Sequence, residues 1–233
     1  KGSLTIAPDG ALVVKGRIQA ATAPNYLEAR NTDVKDLIVQ SDATGNGALI
    51  HGEMGEAIGA TVELLSKAYS VKEINPTTGK EKKKKYWQYV ALPVQNALAE
   101  DAFWGAYTYQ YDETQGWIKK GTGENIEEFW GIGLSIDNEV YSGANNETSL
   151  TKFTIKGNLA LATDRDIDLT RTADVGDGQN MIGNSWTAPI HLTSMTEDDF
   201  ENAVATVYIY NTGRDEQASG KEGTALSANG STQ

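Results

Sequence analysis

The chain has 233 residues, 39 % of them hydrophobic, with 24 glycines and no cysteine. The lack of cysteine excludes a disulfide framework, a thiolate metal site and a cysteine nucleophile, and no run approaches the roughly 18 apolar residues of a membrane-spanning helix. The formal net charge is −12 even though Lys80-Glu81-Lys82-Lys83-Lys84-Lys85 holds five lysines, so the remaining surface is more acidic still and repels nucleic-acid phosphates and anionic lipid.

Short apolar runs divided by Gly, Asp and Asn predict a β-rich chain joined by turns. Residues 1–58 read as stacked strands. Leu4-Thr5-Ile6, a turn at Pro8-Asp9-Gly10, Ala11-Leu12-Val13-Val14 and Gly16-Arg17-Ile18 are followed by Leu37-Ile38-Val39, a turn through 41–47 and Ala48-Leu49-Ile50. Such spacing suits β-solenoid rungs, each stacking Leu, Ile and Val on its neighbours; ordinary hairpin strands of a sandwich are the alternative. Residues 24–30 lack alternation and read as a loop or one helical turn, and the glycine-punctuated 52–59 stretch reads as a domain boundary.

A second domain is expected over 59–213. Its first segment, 61–69, permits a strand or a short helix. Asn75-Pro76-Thr77-Thr78-Gly79 is a turn signal, and the lysine run after it predicts a basic loop in a long hairpin. That run reads as a solvated tip, a guard against edge pairing or an anion site. It is not a phosphate loop, because Glu81 follows Lys80 where Ser or Thr is required. Tyr107-Thr108-Tyr109-Gln110-Tyr111 alternates as a strand and ends in a turn over 112–116; the 129–136, 150–157 and 166–170 stretches also read as strands.

The segment 178–190 repeats the pattern of 87–94: a polar or aromatic lead-in, a short apolar run, then a proline. Each is followed by a tyrosine strand, the second being Val207-Tyr208-Ile209-Tyr210 with a turn at Asn211-Thr212-Gly213. That order predicts an internal duplication, about 86–136 and 178–213. The polar 193–201 segment permits a short helix. Residues 214–233, rich in Gly, Ser, Thr and Ala, predict an extended loop or tail. The fold class expected is therefore all-β: solenoid-like rungs, then an antiparallel β-sandwich with two related halves.

Trp87-Gln88-Tyr89-Val90-Ala91-Leu92-Pro93-Val94 and Gln179-Asn180-Met181-Ile182-Gly183-Asn184-Ser185-Trp186, with Lys152-Phe153-Thr154-Ile155-Lys156-Gly157 between them, carry a resemblance. The chain resembles the large secreted surface proteins of Bacteroidota, many exported by the type IX system. Gln179 stands where that family often has Trp, and Ser185-Trp186 replaces its frequent Pro-aromatic pair. The resemblance implies a secreted or surface-anchored module and transfers no catalytic residue. Because the chain opens mid-pattern at Lys1-Gly2-Ser3-Leu4, we expect a piece of a longer precursor.

No reactive constellation stands out. Gly183-Asn184-Ser185-Trp186-Thr187 lacks the second glycine of a nucleophile elbow, the two histidines are His51 and His191, and adjacent acids such as Glu127-Glu128 are expected in so acidic a chain. No enzyme is expected. Asp164, Asp166 and Asp168 would share one face of a strand and could take calcium, with Asp42 and Asn46 as a further turn site; a solvated polar face is the bland reading. Trp104, Trp117 and Trp130 lie in or beside glycine-flanked loops, where aromatics either stack on sugar rings or fill the core. Asn146-Glu147-Thr148 and Asn229-Gly230-Ser231 match the glycosylation sequon.

The expected function is a non-catalytic structural or adhesive module at the cell surface or outside the cell. The alternative is a carbohydrate-binding module of a glycan-processing protein. Expected partners are other surface proteins, joined by strand addition, or glycans, without nucleic acid, membrane insertion or a required cofactor.

Overall fold

The computed structural model describes residues 4–7, 11–18, 37–42, 45–54, 58–66, 68–136, 151–161, 164–176, 178–209 and 224–227. Within them the protein is all-β, with several antiparallel sheets and no closed barrel. The strands in chain order are β1 (Leu4–Ile6), β2 (Ala11–Ile18), β3 (Leu37–Val39), β4 (Ala48–Met54), β5 (Gly59–Leu65), β6 (Tyr69–Ile74), β7 (Glu81–Tyr86) and β8 (Gln88–Ala91). There follow β9 (Ala97–Leu98), the one-turn helix α1 (Ala99–Ala102), β10 (Ala106–Asp112), β11 (Gly116–Lys120), β12 (Asn125–Ile126), β13 (Gly131–Ile136), β14 (Lys152–Asn158), β15 (Thr206–Ile209) and β16 (Thr224–Ser227). Lys1–Ala188 and Pro189–Gln233 form two compact units.

In the first unit the early strands pair in parallel. β1, β3 and β5 lie side by side with Leu4 opposite Leu37 and Ile38 opposite Thr61, and β2 lies along β4 with Ala11 opposite Ala48. Stacked rungs require such ladders, but the described residues show the ladders and not a wound coil. The β2 register shifts between Val14 and Arg17, so the runs 11–14 and 16–18, read separately in the sequence, are one strand with a bulge-like irregularity. β5 pairs with β3 across the boundary expected at residue 58, and the 61–69 stretch, open to helix or strand in the sequence, is extended up to Leu65.

β5 also pairs antiparallel with β14, from Leu65 opposite Lys152 to Gly59 opposite Asn158. A second four-stranded sheet is antiparallel throughout, in the order β11-β10-β13-β8. The two sheets share one apolar cluster. Leu37, Val39, Val62, Phe153 and Ile155 come from the first, Ile132, Leu134 and Ile136 from the second, and Phe103 meets Phe153 edge-on at 5.3 Å. Each such side chain taken fully out of water contributes about 1.5–3 kcal/mol. The alternation seen in the sequence is the reason: on β14, Phe153 and Ile155 point inward while Lys152, Thr154 and Lys156 are exposed.

The lysine run is a strand rather than the expected basic loop. β7 pairs along its whole length with β6, from Tyr69 opposite Tyr86 to Ile74 opposite Glu81. The connecting turn falls at the Asn75-to-Gly79 signal: the Asn75 Oδ1 accepts from the Thr77 and Thr78 N–H groups, and Gly79 takes a φ of +66°. One ion pair spans the two strands, Lys72 of β6 with Glu81 of β7 at 3.1 Å.

The two copies of the apolar-run-plus-proline pattern sit in different settings. Residues 87–94 contain β8. Residues 178–190 contain no strand and meet the sheet through a single bridge between Ile182 and Trp130. The Asn184 side chain accepts from the Trp186 N–H at 2.9 Å and donates to the Ala188 carbonyl at 2.7 Å, turning the chain away before it can extend. Residues 166–170 are likewise not a strand, despite their alternation.

The second unit holds two short 3-10 turns, Leu192–Ser194 and Glu197–Asp199, where the sequence allowed a short helix. β15, the second tyrosine strand, pairs with β16, which lies inside the stretch expected as an extended tail. The 8–10 turn, the 24–30 segment, the 211–213 turn, both sequons, and parts of the 41–47 turn, the 52–59 bend and the 214–233 tail lie outside the described residues. Among the described residues no helix is long and apolar enough to cross a membrane.

Candidate functional site

Alternation along β10 sends Thr108 into the core and Tyr107, Tyr109 and Tyr111 to the opposite face of the second sheet. The register then decides what accompanies them. Tyr109 lies opposite Gly133 on one side and Lys119 on the other, Tyr111 lies opposite Trp117, and Gly133 lies opposite Tyr89 of β8. All four strands thus place aromatic or glycine residues on one face.

The rings contact one another. Tyr89 and Trp117 reach toward each other from the two outer strands and stack at 5.3 Å with an interplanar angle of 8°. Tyr111 meets Trp117 edge-on at 5.4 Å, and Trp87 meets Tyr109 edge-on at 5.2 Å. Gly133 lies beneath the stack; a Cβ there would come 3.1 Å from the Trp117 ring and 3.4 Å from Tyr89. Glycine at this position thus lets the two rings approach the strand closely, and a methyl would press on Trp117. Each such aromatic pair contributes about 0.5–1.5 kcal/mol beyond area burial. Trp117 is 42 % exposed while its neighbours hold it in place.

One end of the face is cationic. The Lys85 Nζ sits 3.7 Å from the centroid of the Tyr107 ring and the Lys119 Nζ 5.3 Å from the same centroid. Among the described residues neither ammonium pairs with a carboxylate. The negative face of the ring is what holds two like charges near one point, at about 0.5–1 kcal/mol for each at a partly exposed site.

The other end is covered by the 170–185 segment. Met181 lies where a Gly131 side chain would be. The Gly131 N–H donates to the Met181 carbonyl at 2.8 Å and the Gly183 N–H to Phe129 O at 2.9 Å. Ser185, considered above as a nucleophile, is buried, and its Oγ accepts from the Phe129 N–H at 2.7 Å. That bond anchors a residue held at a φ of +65° just before β13. Glu113 is also buried here; Thr172 donates to its Oε1, while Oε2 has no hydrogen-bond partner among the described residues.

Of the three tryptophans expected to stack on sugars, Trp117 belongs to this face. Trp104 is 81 % exposed just beyond α1, and Trp130 is half-buried at the bridge to Ile182. No ring contact joins either to Trp117 among the described residues. The carboxylates Asp164, Asp166 and Asp168 are exposed on a segment that is not a strand, so alternation does not hold them to one side. Among the described residues no three His, Cys, Asp or Glu side chains gather as metal ligands would. The Asn46 Oδ1, considered with Asp42, accepts from Ser41 Oγ at 2.6 Å.

Sequence reasoning missed Trp87, Tyr89, Lys85 and Lys119 as members of one surface. The signal available was the odd-numbered run Lys85, Trp87, Tyr89 beside Tyr107, Tyr109, Tyr111 and Trp117, Lys119. It becomes a surface only once the register of four strands is known. No family model, curated protein or solved structure matches the chain.

Proposed function

We propose that this chain is a non-catalytic contact module of a larger extracellular or cell-surface bacterial protein, of the kind its sequence resembles in Bacteroidota, and that it adheres through the aromatic face of the β11-β10-β13-β8 sheet. The observation behind this reading is two preset ring pairs on one face, Trp87 with Tyr109 and Tyr89 with Trp117, the second lying over Gly133. Rings already held by their neighbours lose little conformational freedom on binding and offer flat apolar area.

The carbohydrate-binding module is the second reading. It is favoured by the half-exposed Trp117 ring, because flat aromatic rings suit the apolar faces of sugars. Adhesion of the purified chain to bacterial cell surfaces and to a glycan array tests both. The Tyr89→Ala/Trp117→Ala variant, confirmed folded by its thermal transition, is expected to lose binding. Undiminished adhesion overturns the contact-face reading, and robust turnover of polysaccharide or peptide substrates overturns the non-catalytic one.

A further inference from the structure

At its Tyr107 end the aromatic face carries two cations, opposite in sign to the protein's net charge. In a chain of formal net charge −12, the two ammonium groups of Lys85 and Lys119 converge on the Tyr107 ring without a carboxylate partner among the described residues. Tyr107 stands on the same strand and same side as Tyr109 and Tyr111, so these cations border the ring pairs directly. A neutral sugar would use the rings and leave the ammonium groups idle. An acidic peptide would use the ammonium groups and leave the flat rings without a matching surface. A ligand alternating pyranose rings with carboxylates uses both.

We propose that the face takes an acidic polysaccharide, a chain of uronate-bearing sugars. A sugar ring lies on Trp117, the exposed ring that Tyr89 backs, and a carboxylate lies between the Lys85 and Lys119 ammonium groups. The inference rests on reading the aromatic face as the contact surface and adds the class of its ligand. Each carboxylate–ammonium contact is charge-assisted and short-ranged, so it weakens as salt screens it. The stacking is insensitive to salt.

Calorimetry and affinity electrophoresis with polygalacturonate and with its fully methyl-esterified form make the test, since the two polymers share a backbone and differ in charge. We expect esterification to weaken binding about tenfold, the scale of one lost charge-assisted contact. The Lys85→Gln/Lys119→Gln variant should lose about as much for polygalacturonate and nothing for the ester. Trp117→Ala should abolish binding of both polymers, with Trp117→Phe, checked by thermal unfolding, retaining part of it. Lys120→Gln, on the opposite side of β11 from Lys119, should change nothing.

Equal affinity for the two polymers overturns the acidic assignment and leaves the contact face standing. Binding of poly-glutamate as tight as that of polygalacturonate, and untouched by Trp117→Ala, also overturns it, because charge alone would then suffice. Binding of neither polymer overturns it as well; the contact face itself falls only if Tyr89→Ala/Trp117→Ala leaves adhesion intact.

Discussion

On one face of β13, Ile132, Leu134 and Ile136 close the core with their own branched side chains, at 5 % exposure or less. On the other, Gly131, Gly133 and Ser135 are equally buried with almost no side chain to bury them. The cover comes from elsewhere: Met181 lies over Gly131, and Tyr89 and Trp117 lie over Gly133. The first face is sealed by volume built into the strand. The second is sealed by side chains from other segments, the Met181 chain and the Tyr89 and Trp117 rings. The contact surface proposed above is the face whose closure is borrowed.

Truncation should separate the two faces most sharply on the inner side. Leu134→Ala removes a side chain with no exposed area and is expected to cost about 2–5 kcal/mol, read from urea unfolding; a loss no larger than that of an exposed-site variant would break the distinction. Next is Ser185→Ala, which strips the partner from the buried Phe129 N–H. A cost of about 1–3 kcal/mol is expected, and an unchanged denaturation midpoint would mean that the 181–185 cover is not anchored there.

Gly133→Ala should behave quite differently. Its φ is not in the left-handed region, and alanine gains about 0.5–1 kcal/mol over glycine in a strand interior. The added methyl, however, presses on Trp117 at 3.1 Å. Stability should move by less than about 1 kcal/mol, while Trp117 fluorescence and the near-ultraviolet dichroism shift. If both signals stay as they were, the stack does not rest on this glycine.

The smallest effect lies at the turn joining β10 to β11. The Thr114 hydroxyl, the Thr114 N–H and the Gln115 N–H all donate to Asp112 Oδ1 and hold its carboxyl below the ordinary aspartate range. A lowered folded value means this contribution is present above the unfolded aspartate pKa and is lost as pH falls through the folded one. Thr114→Val removes the largest cause, so the Asp112 carboxyl should titrate at higher pH in carbon-detected NMR. Titration at the same pH in both proteins would discount the hydroxyl.

Much of the strand content was legible because side-chain alternation is written into the residues. Phe153 and Ile155 against Lys152, Thr154 and Lys156 identify both a strand and its buried face. Alternation does not say whether a hydrogen-bonding neighbour exists. Asp166 to Thr170 alternates as well as β14 but has no ladder, and the lysines of β7, which look like a loop, have a full one in β6. The candidate site was legible only in Trp117. Its other members depend on register across four strands, a property of pairs of segments that no single segment displays.

β5 carries a parallel neighbour on one edge and an antiparallel one on the other. Between β5 and β14 the chain makes the whole antiparallel sheet and then returns, and the clasp is fastened at both ends, by Ser66 N–H to Thr151 O and by Leu159 N–H to Ile58 O, each at 2.8 Å. The β6–β7 and β10–β11 hairpins need only local encounters and can form in about 1–10 μs. The clasp must bring together segments separated by that entire excursion, so it carries the largest loop-closure cost of the described ladders. Until it closes, β5 presents a bare edge to any other nascent chain, which makes the interval during synthesis before β14 emerges the time of greatest exposure to misassembly.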